Sequence, residues 1–294
     1  MQSKILKGSL FVATGAASYG LLATFVKLAY KQGYSLAEVT LSQFVLGIAG
    51  LLILTQFIPK RKDVKSAKSS IFKLAIAGTS LGATSLFYYI SVQSIPVSIA
   101  IVLLMQTVWM GVVLEMILLK KLPSALKICG VVLILTGTIL ATNMLVETDS
   151  IAWKGIFWGL MAALSYTISV FSTNKIGLEM HPLKRTLWML VGGFVVVASA
   201  AFPTLIHHFD PSIFWSWGIL LALFGTILPP ILFSIGMPIT GLGLGAILSS
   251  VEIPVSVLMA FFLLNEQIGI FQWIGIVLII ATVIWMNVPR KKDA

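Results

Sequence analysis

A succession of apolar runs, each about as long as a membrane is thick, constrains this chain more than any motif in it. The runs fall near residues 8–30, 36–58, 71–92, 95–118 and 125–143. After a polar break at Met144 to Ser150, five more follow near 153–173, 184–206, 216–236, 239–264 and 268–287. A helix rises about 1.5 Å per residue, so some 20 apolar residues cross a hydrocarbon core of roughly 30 Å. In lipid every backbone N–H and C=O must find a partner inside the protein, and single runs of this length do so as helices. The expected fold is therefore an all-α integral membrane protein with ten transmembrane helices. Hydrophobic residues make up 58% of the 294, charged residues only 10%, and the mean hydropathy is +1.02, which excludes a soluble globular domain. The first run has no small-residue cleavage site after a short hydrophobic region, so it reads as a retained helix rather than a signal peptide.

A net charge of +10 would suggest nucleic acid in a soluble chain, but here the basic residues cluster in short loops, where they set orientation. No nucleic-acid partner is expected. With the amino terminus in the cytoplasm and sides alternating through ten crossings, the cytoplasmic side receives Lys4, Lys7, Lys60, Arg61, Lys62, Lys65, Lys68, Lys73, Lys120, Lys121, Lys127, Lys175, Lys184, Arg185, Arg290, Lys291 and Lys292. Of the 20 basic residues only Lys27, Lys31 and Lys154 fall outside. Dropping one crossing would invert every later loop, so the sorting supports a multi-pass protein of the cell membrane with both termini cytoplasmic, the bacterial inner membrane being the expected location. The run PKRKDVKSAK at 59–68 is read as a topology determinant.

The two groups of five runs are related. At an offset of 145, Gly130, Val132, Leu133 and Ile134 fall on Gly275, Val277, Leu278 and Ile279, while Leu118 and Leu119 fall on Leu263 and Leu264. At 147, Gly8, Ala16, Ser18 and Tyr19 fall on Gly155, Ala163, Ser165 and Tyr166. The expected repeats are residues 1–147 and 150–294. Five crossings per repeat make the second enter from the opposite side, so the repeats are expected to be inverted, with a shared site near the midplane.

Within the run ITGLGLGAILSSVEIPVSVLMAFFLL, the lone charge is Glu252. Holding it ionised at a helix centre costs about 2.5–3.5 kcal/mol, so it is expected to face the bundle interior or a wet cavity. Pro254 removes one N–H and is expected to leave the Ser250 carbonyl without its partner, which gathers Glu252, Ser249 and Ser250 as candidate substrate-binding groups. The structural alternative is a protonated Glu bonded to a neighbouring helix.

The stretch SSVEIPVSVLMAFFLLNEQIGIFQWIGIVLIIATVI resembles the end of the EamA domain of the drug/metabolite transporter superfamily, and the likeness covers almost the whole chain. In that pattern a small-residue helix leads into a Glu-x-Pro-like element, a Leu-x-Glu turn and a final helix opening with Gly. Glu252, Pro254, Leu264, Glu266, Gln272 and Gly275 occupy those positions. The first half departs from it, with Thr107, Trp109 and Lys121 at the equivalent sites and Gln43 where many relatives place an Arg. The resemblance implies a ten-helix secondary transporter or exporter of small metabolites with a central cavity between the halves.

Repeat symmetry nominates Gln106, Thr107 and Trp109 as partners of Glu252 across the midplane, and Tyr19 and Tyr166 as further substrate-binding residues. Tyr88 and Tyr89 read either as interfacial anchors or as an outer gate. Pro229 and Pro230 are expected to kink the eighth helix. Glu115 and Glu38 are expected to snorkel at helix ends, and Gly241, Gly243 and Gly245 to allow close helix packing or a hinge.

Neither a nucleophile with its base nor a phosphate-binding Gly loop is visible, so no enzyme is expected. Cys129 stands alone, and neither Cys nor His has metal-ligand spacing, so no metal and no cofactor are implied. The expected partners are a small-molecule substrate, the lipid bilayer and protons, in a monomer or homodimer. Lack of a central Lys or Arg argues against phosphate-bearing substrates and favours neutral or cationic metabolites such as amino acids, amines or drug-like compounds. The expected function is export by alternating access, with Glu252 exchanging protons. The alternatives are a facilitative uniporter, or a channel or lipid scramblase.

Overall fold

The computed structural model describes residues 2–57, 67–92, 94, 95, 97–141, 153–205, 209–265 and 267–287. All regular structure among them is helical. The first half carries α1 (Gln2–Lys31), α2 (Leu36–Gln56), α3 (Ala67–Val92), α4 (Val97–Leu104), α5 (Thr107–Leu119) and α6 (Ala125–Ala141). The second carries α7 (Trp153–Lys175), α8 (Pro182–Leu205), α9 (Ile219–Ala222), α10 (Leu228–Thr240), α11 (Leu242–Ser249), α12 (Glu252–Leu264) and α13 (Ile270–Asn287). Eight helical stretches are long and apolar enough to cross a membrane: Lys4–Lys31, Leu36–Gln56, Ser69–Ser91, Ala100–Leu119, Trp153–Lys175, Pro182–Leu205, Phe214–Thr240 and Leu242–Leu263. Ala125–Ala141 and Ile270–Met286 are shorter apolar helices. The break at Met144 to Ser150, and with it the boundary between the repeats, lies outside the described residues, as do the loop charges Lys60 to Lys65 and Arg290 to Lys292, and Glu266.

The repeat is visible in the helix boundaries. Val97–Leu104 and Leu242–Ser249 are both 8 residues long, and Thr107–Leu119 and Glu252–Leu264 are both 13. Their starts, 97 and 242, then 107 and 252, keep one spacing. Both 13-residue helices end on a left-handed residue, Lys120 (φ 49°) and Asn265 (φ 54°), and among the described residues these are the non-glycine positions with positive φ. The halves interlock: α1 packs on α10, α11 and α12, α7 packs on α3, α4 and α5, while α2 pairs with α8 and α6 with α13. Equivalent helices thus make exchanged contacts.

Small residues bring these helices together. A Cβ on Gly78 would lie 1.9 Å from the Met189 carbonyl oxygen and one on Gly192 1.8 Å from that of Ala75, so α3 and α8 touch backbone to backbone. Gly275 sits against Ala141 and Gly137 in the same way.

Several sequence expectations need correction. Arg185, sorted above as a loop charge, is 3% exposed and lies in the first turns of α8. Glu38 does not snorkel: it is 2% exposed and closes a capping box with Ser35 while accepting from the Asp210 N–H at 2.7 Å. Glu115 is paired with Lys127 instead of reaching for the interface, and Gly243 leaves room for its carboxylate. The interruption expected at Pro229 and Pro230 takes the form of π-helical turns. The Leu228 N–H bonds to the Leu223 carbonyl, and the two prolines, with no N–H to give, follow in the first turn of α10. Gly241, at φ 81°, makes the sharp joint between α10 and α11 that a side chain would strain.

Candidate functional site

Two broken helices build the site. Between α4 and α5, and again between α11 and α12, the helical ladder gives way to tighter i to i+3 bonds. Gln106 N–H reaches Leu103 O (3.0 Å) and Val108 N–H reaches Met105 O (3.0 Å). In the second half Val251 N–H reaches Leu248 O (3.3 Å) and Ile253 N–H reaches Ser250 O (3.1 Å). Pro254 accounts for the second break, since it has no N–H to offer. The Ser250 carbonyl, expected from sequence to lose its partner, is not left bare, because the Ile253 N–H takes it over. The first break has Trp109 where the second has Pro254, and nothing local in the sequence announces it.

The break places Glu252 at the first position of α12. Its backbone is gripped by α1, where a Cβ on Gly20 would lie 2.6 Å from the Glu252 carbonyl oxygen. Its side chain, half-buried, faces a cavity of about 200 Å³ walled by α1, α2, α3, α4, α7 and α12. Tyr19, Tyr88 and Tyr166 stand close enough for a charge on Glu252 to act on their hydroxyls. Tyr19 and Tyr166 meet edge to face at 6.5 Å, as do Tyr30 and Tyr89 at 6.4 Å, and Tyr88 and Tyr89 lie 5.9 Å apart. The Tyr166 hydroxyl is buried with no hydrogen-bond partner of normal geometry, although Ser249 stands beside it. An unmade bond at a buried hydroxyl costs about 1–3 kcal/mol, which a ligand in the cavity can recover.

The rings of Tyr19 and Tyr166, with Leu81, also wall a second cavity of about 10 Å³, lined by Ser169, Thr173, Thr186 and Ser234. That is room for about one water. Beside it, hydrogen bonds tie helix ends together. Arg185 donates to the carbonyls of Thr173, Ile176 (3.1 Å) and Ser234 (2.9 Å), and Asn174 Nδ2 donates to Met237 O at 2.5 Å. The end of α7 is thereby tied to α10, and the guanidinium lies where the α7 dipole favours a cation.

Of the residues nominated from sequence, Glu252, Tyr19, Tyr166, Tyr88 and Tyr89 share the large cavity. Gln106, Thr107, Trp109, Ser249 and Ser250 are not on its wall. Each is engaged locally instead. Gln106 donates to Val102 O (2.9 Å) and accepts from the Trp109 indole (2.9 Å), and Trp109 is 38% exposed on the periphery. The Thr107 hydroxyl meets that of Thr167 at 2.8 Å. Ser249 and Ser250 donate to Ala246 O (2.6 Å) and Ile247 O (2.7 Å) of their own helix, the usual recourse of a hydroxyl in an apolar helix. Pro230 lines the small cavity, and Pro229 is buried beside it.

Sequence reasoning missed Lys27 and Gln43, both on the large cavity's wall. Lys27 contradicts the expectation that the cavity lacks a basic residue. The signal was present: Lys27 interrupts the first apolar run as Glu252 interrupts the ninth, and was assigned to a loop because it lies near that run's end. No group of three or more His, Cys, Asp or Glu that could hold a metal occurs among the described residues.

The model of the EamA-like transporter family matches residues 6–143 and 153–288, one match to each half. The chain belongs to the EamA-like transporter family. An uncharacterized transporter of Archaeoglobus fulgidus is 31% identical over 130 residues, 44% of this chain. The match spans less than half of that protein's length, 46%. A protein of known crystal structure superposes with a TM-score of 0.76 over 96% of this chain and 98% of its own, at 15% identity, a likeness of fold. This EamA-family chain is thus a multi-pass membrane protein of a transporter family, its two repeats meeting around the cavity that holds Glu252.

Proposed function

We propose that the chain is a secondary transporter that exports small neutral or cationic metabolites by alternating access. The observation that carries this reading is the cavity of about 200 Å³ between interlocked halves, walled by a carboxylate and tyrosines, with the end of α7 tied to α10 beside the smaller cavity. A lone Glu252 is costly to hold ionised at membrane depth, so a cationic group or a proton is its natural companion. Tyr19 and Tyr166 bind substrate beside it, Tyr88 and Tyr89 gate the cavity, and the breaks at Pro229, Pro230 and Pro254 let helix segments move separately. The exchanged helix contacts support inverted repeats of five crossings, with the short α6 and α13 as the fifth of each. Loop charge supports cytoplasmic termini in a cell membrane.

Competition of substrate and proton for Glu252 would yield export driven by proton entry; the second reading is facilitated diffusion with Glu252 only orienting substrate. Glu252→Gln keeps the shape and removes the charge. In proteoliposomes loaded with a mixture of amino acids and amines, the wild type should release substrate faster under an imposed pH gradient. The variant should exchange substrate without that acceleration. Full acceleration in the variant would rule out Glu252 as the proton carrier, a wild type indifferent to the gradient would point to uniport, and non-saturating flux without counterflow would point to a pore.

A further inference from the structure

We propose that the small cavity beside Tyr19 and Tyr166 is a binding site for one resident water, the first of the column that fills this side when the carrier faces the other way. The water rests on the geometry of the cavity, and its role rests on the alternating-access reading. The cavity is about 10 Å³, the room one water needs. Its wall repeats that of the large cavity. Spacing of 147 relates Tyr166, Ser169 and Thr173 to Tyr19, Leu22 and Val26, and the starts of α2 and α8, 36 and 182, relate Met189 to Gln43. All four counterparts line the large cavity. Where that cavity has Leu22 and Val26, the small one has Ser169 and Thr173, so hydroxyls replace hydrocarbon on the collapsed side.

The wall presents the bonds that a water takes. Tyr166 is 5% exposed and its hydroxyl has no partner among the described residues, so it can donate into the cavity it lines. Thr173 gives its hydrogen to the Ser169 carbonyl (2.9 Å), which leaves its oxygen as an acceptor. Thr186 reaches the Pro230 carbonyl (3.2 Å) and the Ser234 hydroxyl (3.0 Å), and the oxygens of this pair offer further lone pairs. One donor and two acceptors make the three bonds usual for a buried water. Buried hydroxyls are seldom left unsatisfied in folded proteins, and a water here satisfies Tyr166. A monovalent cation would use the same oxygens. Arg185 disfavours it, because the guanidinium donates to the backbone carbonyls of Thr173 and Ser234 and sets a positive charge against that wall.

X-ray pulses turn bound water into hydroxyl radicals that oxidise the side chains touching it, and mass spectrometry of the purified protein reads the result. Met189, buried on the small cavity's wall with its sulfur 3.7 Å from the Thr173 hydroxyl, should be oxidised several-fold faster than Met105, which is also buried but lies on neither wall. Ser169→Val fills the space and should bring Met189 down to the rate of Met105. Ser169→Ala leaves the space and the other bonds, and should keep most of the oxidation. Monodisperse elution and unchanged oxidation of Met105 certify that both variants are folded. Arg185→Met loosens the tie between α7 and α10 and should raise Met189 oxidation above wild type as the column enters. Met189 oxidised no faster than Met105, or undiminished in Ser169→Val, overturns the water site. A rate that falls when sodium replaces choline in the buffer assigns the cavity to a cation and overturns it too. A wild-type rate in Arg185→Met overturns the role in access. Each of these leaves the transport reading standing, since the proteoliposome assay decides that separately.

Discussion

The backbone contact between α3 and α8 makes the sharpest structural prediction, because there a single methyl group has nowhere to go. In Gly192→Ala the new Cβ would lie 1.8 Å from the Ala75 carbonyl oxygen, against roughly 3.3 Å for a close carbon–oxygen contact. The obstacle is main chain on both sides, so the helices must separate by about 1.5 Å or bend. Overpacking of this kind costs typically 1–3 kcal/mol, and with no side chain able to yield we expect about 3. Gly78→Ala, 1.9 Å from the Met189 oxygen across the same seam, should cost as much alone. Once one substitution has parted the helices the second meets less resistance, so the double variant should fall short of the sum by about 1 kcal/mol or more. Gly269→Ala is the control, since its Cβ meets only the Gln272 side chain at 3.8 Å. Unfolding in graded denaturing detergent, followed by tryptophan fluorescence, measures all four. An unfolding midpoint for Gly192→Ala equal to that of Gly269→Ala would refute the α3 and α8 contact. The same separation shifts Leu81, Thr84 and Tyr88 on the cavity wall, so ligand affinity should fall with stability.

Two further substitutions test local features by the same assay. Lys120→Gly should stabilise by roughly 0.5–1 kcal/mol, because Lys120 holds a left-handed conformation that costs an L-residue and suits glycine at a helix end; destabilisation would mean that its side chain contributes more than its backbone strain. Glu115→Gln should cost about 1 kcal/mol by leaving Lys127 unpaired, and that loss should shrink in a Lys127→Met background if the two act through one another.

Membrane helices, the repeat and the interior position of Glu252 were legible because each leaves a mark on a single line of sequence. Apolar run length reports helices, and the spacing of Tyr19 to Tyr166 or Gly130 to Gly275 reports the repeat. A lone Glu252 reports an interior position, since lipid makes any other expensive. What escaped was orientation about each helix axis. Trp109 and Glu252 correspond in the repeat to within two residues, yet one faces the periphery and the other the cavity. Thr107 and Ser250 likewise had polar groups that suggested a site, but each satisfies its hydroxyl nearby. Conversely Arg185 and Lys27 looked like topology charges, because sequence position cannot tell a cation leaving a helix end from one folded back onto carbonyls or into a cavity.

The differences between the halves bear on which way the cavity faces. Spacing of 147 relates Tyr19 to Tyr166 and hence Lys27 to Asn174, and the starts of α2 and α8, 36 and 182, relate Val39 to Arg185. At the end where α7 finishes, Asn174 and Arg185 reach carbonyls at the end of α7 and in α10 and tie the two together beside the small cavity. At the end where α1 finishes, the corresponding residues are Lys27 on the open wall and the fully buried, apolar Val39. A carrier whose halves exchange shapes would lose the charge-assisted bonds of Arg185 on switching, each worth about 1.5–3 kcal/mol, and Val39 cannot replace them at the other end. The latch should therefore hold the protein open toward the end of α1 when empty. A cysteine at Ser169, on the small cavity's wall, reads this out in a Cys129→Ser background. A membrane-permeant thiol reagent should label it slowly in the parent and several-fold faster when Arg185→Met is added, with Arg185→Lys between them because one ammonium cannot span three carbonyls. Equal labelling rates in protein of unchanged detergent stability would show that Arg185 is a helix cap and not a latch.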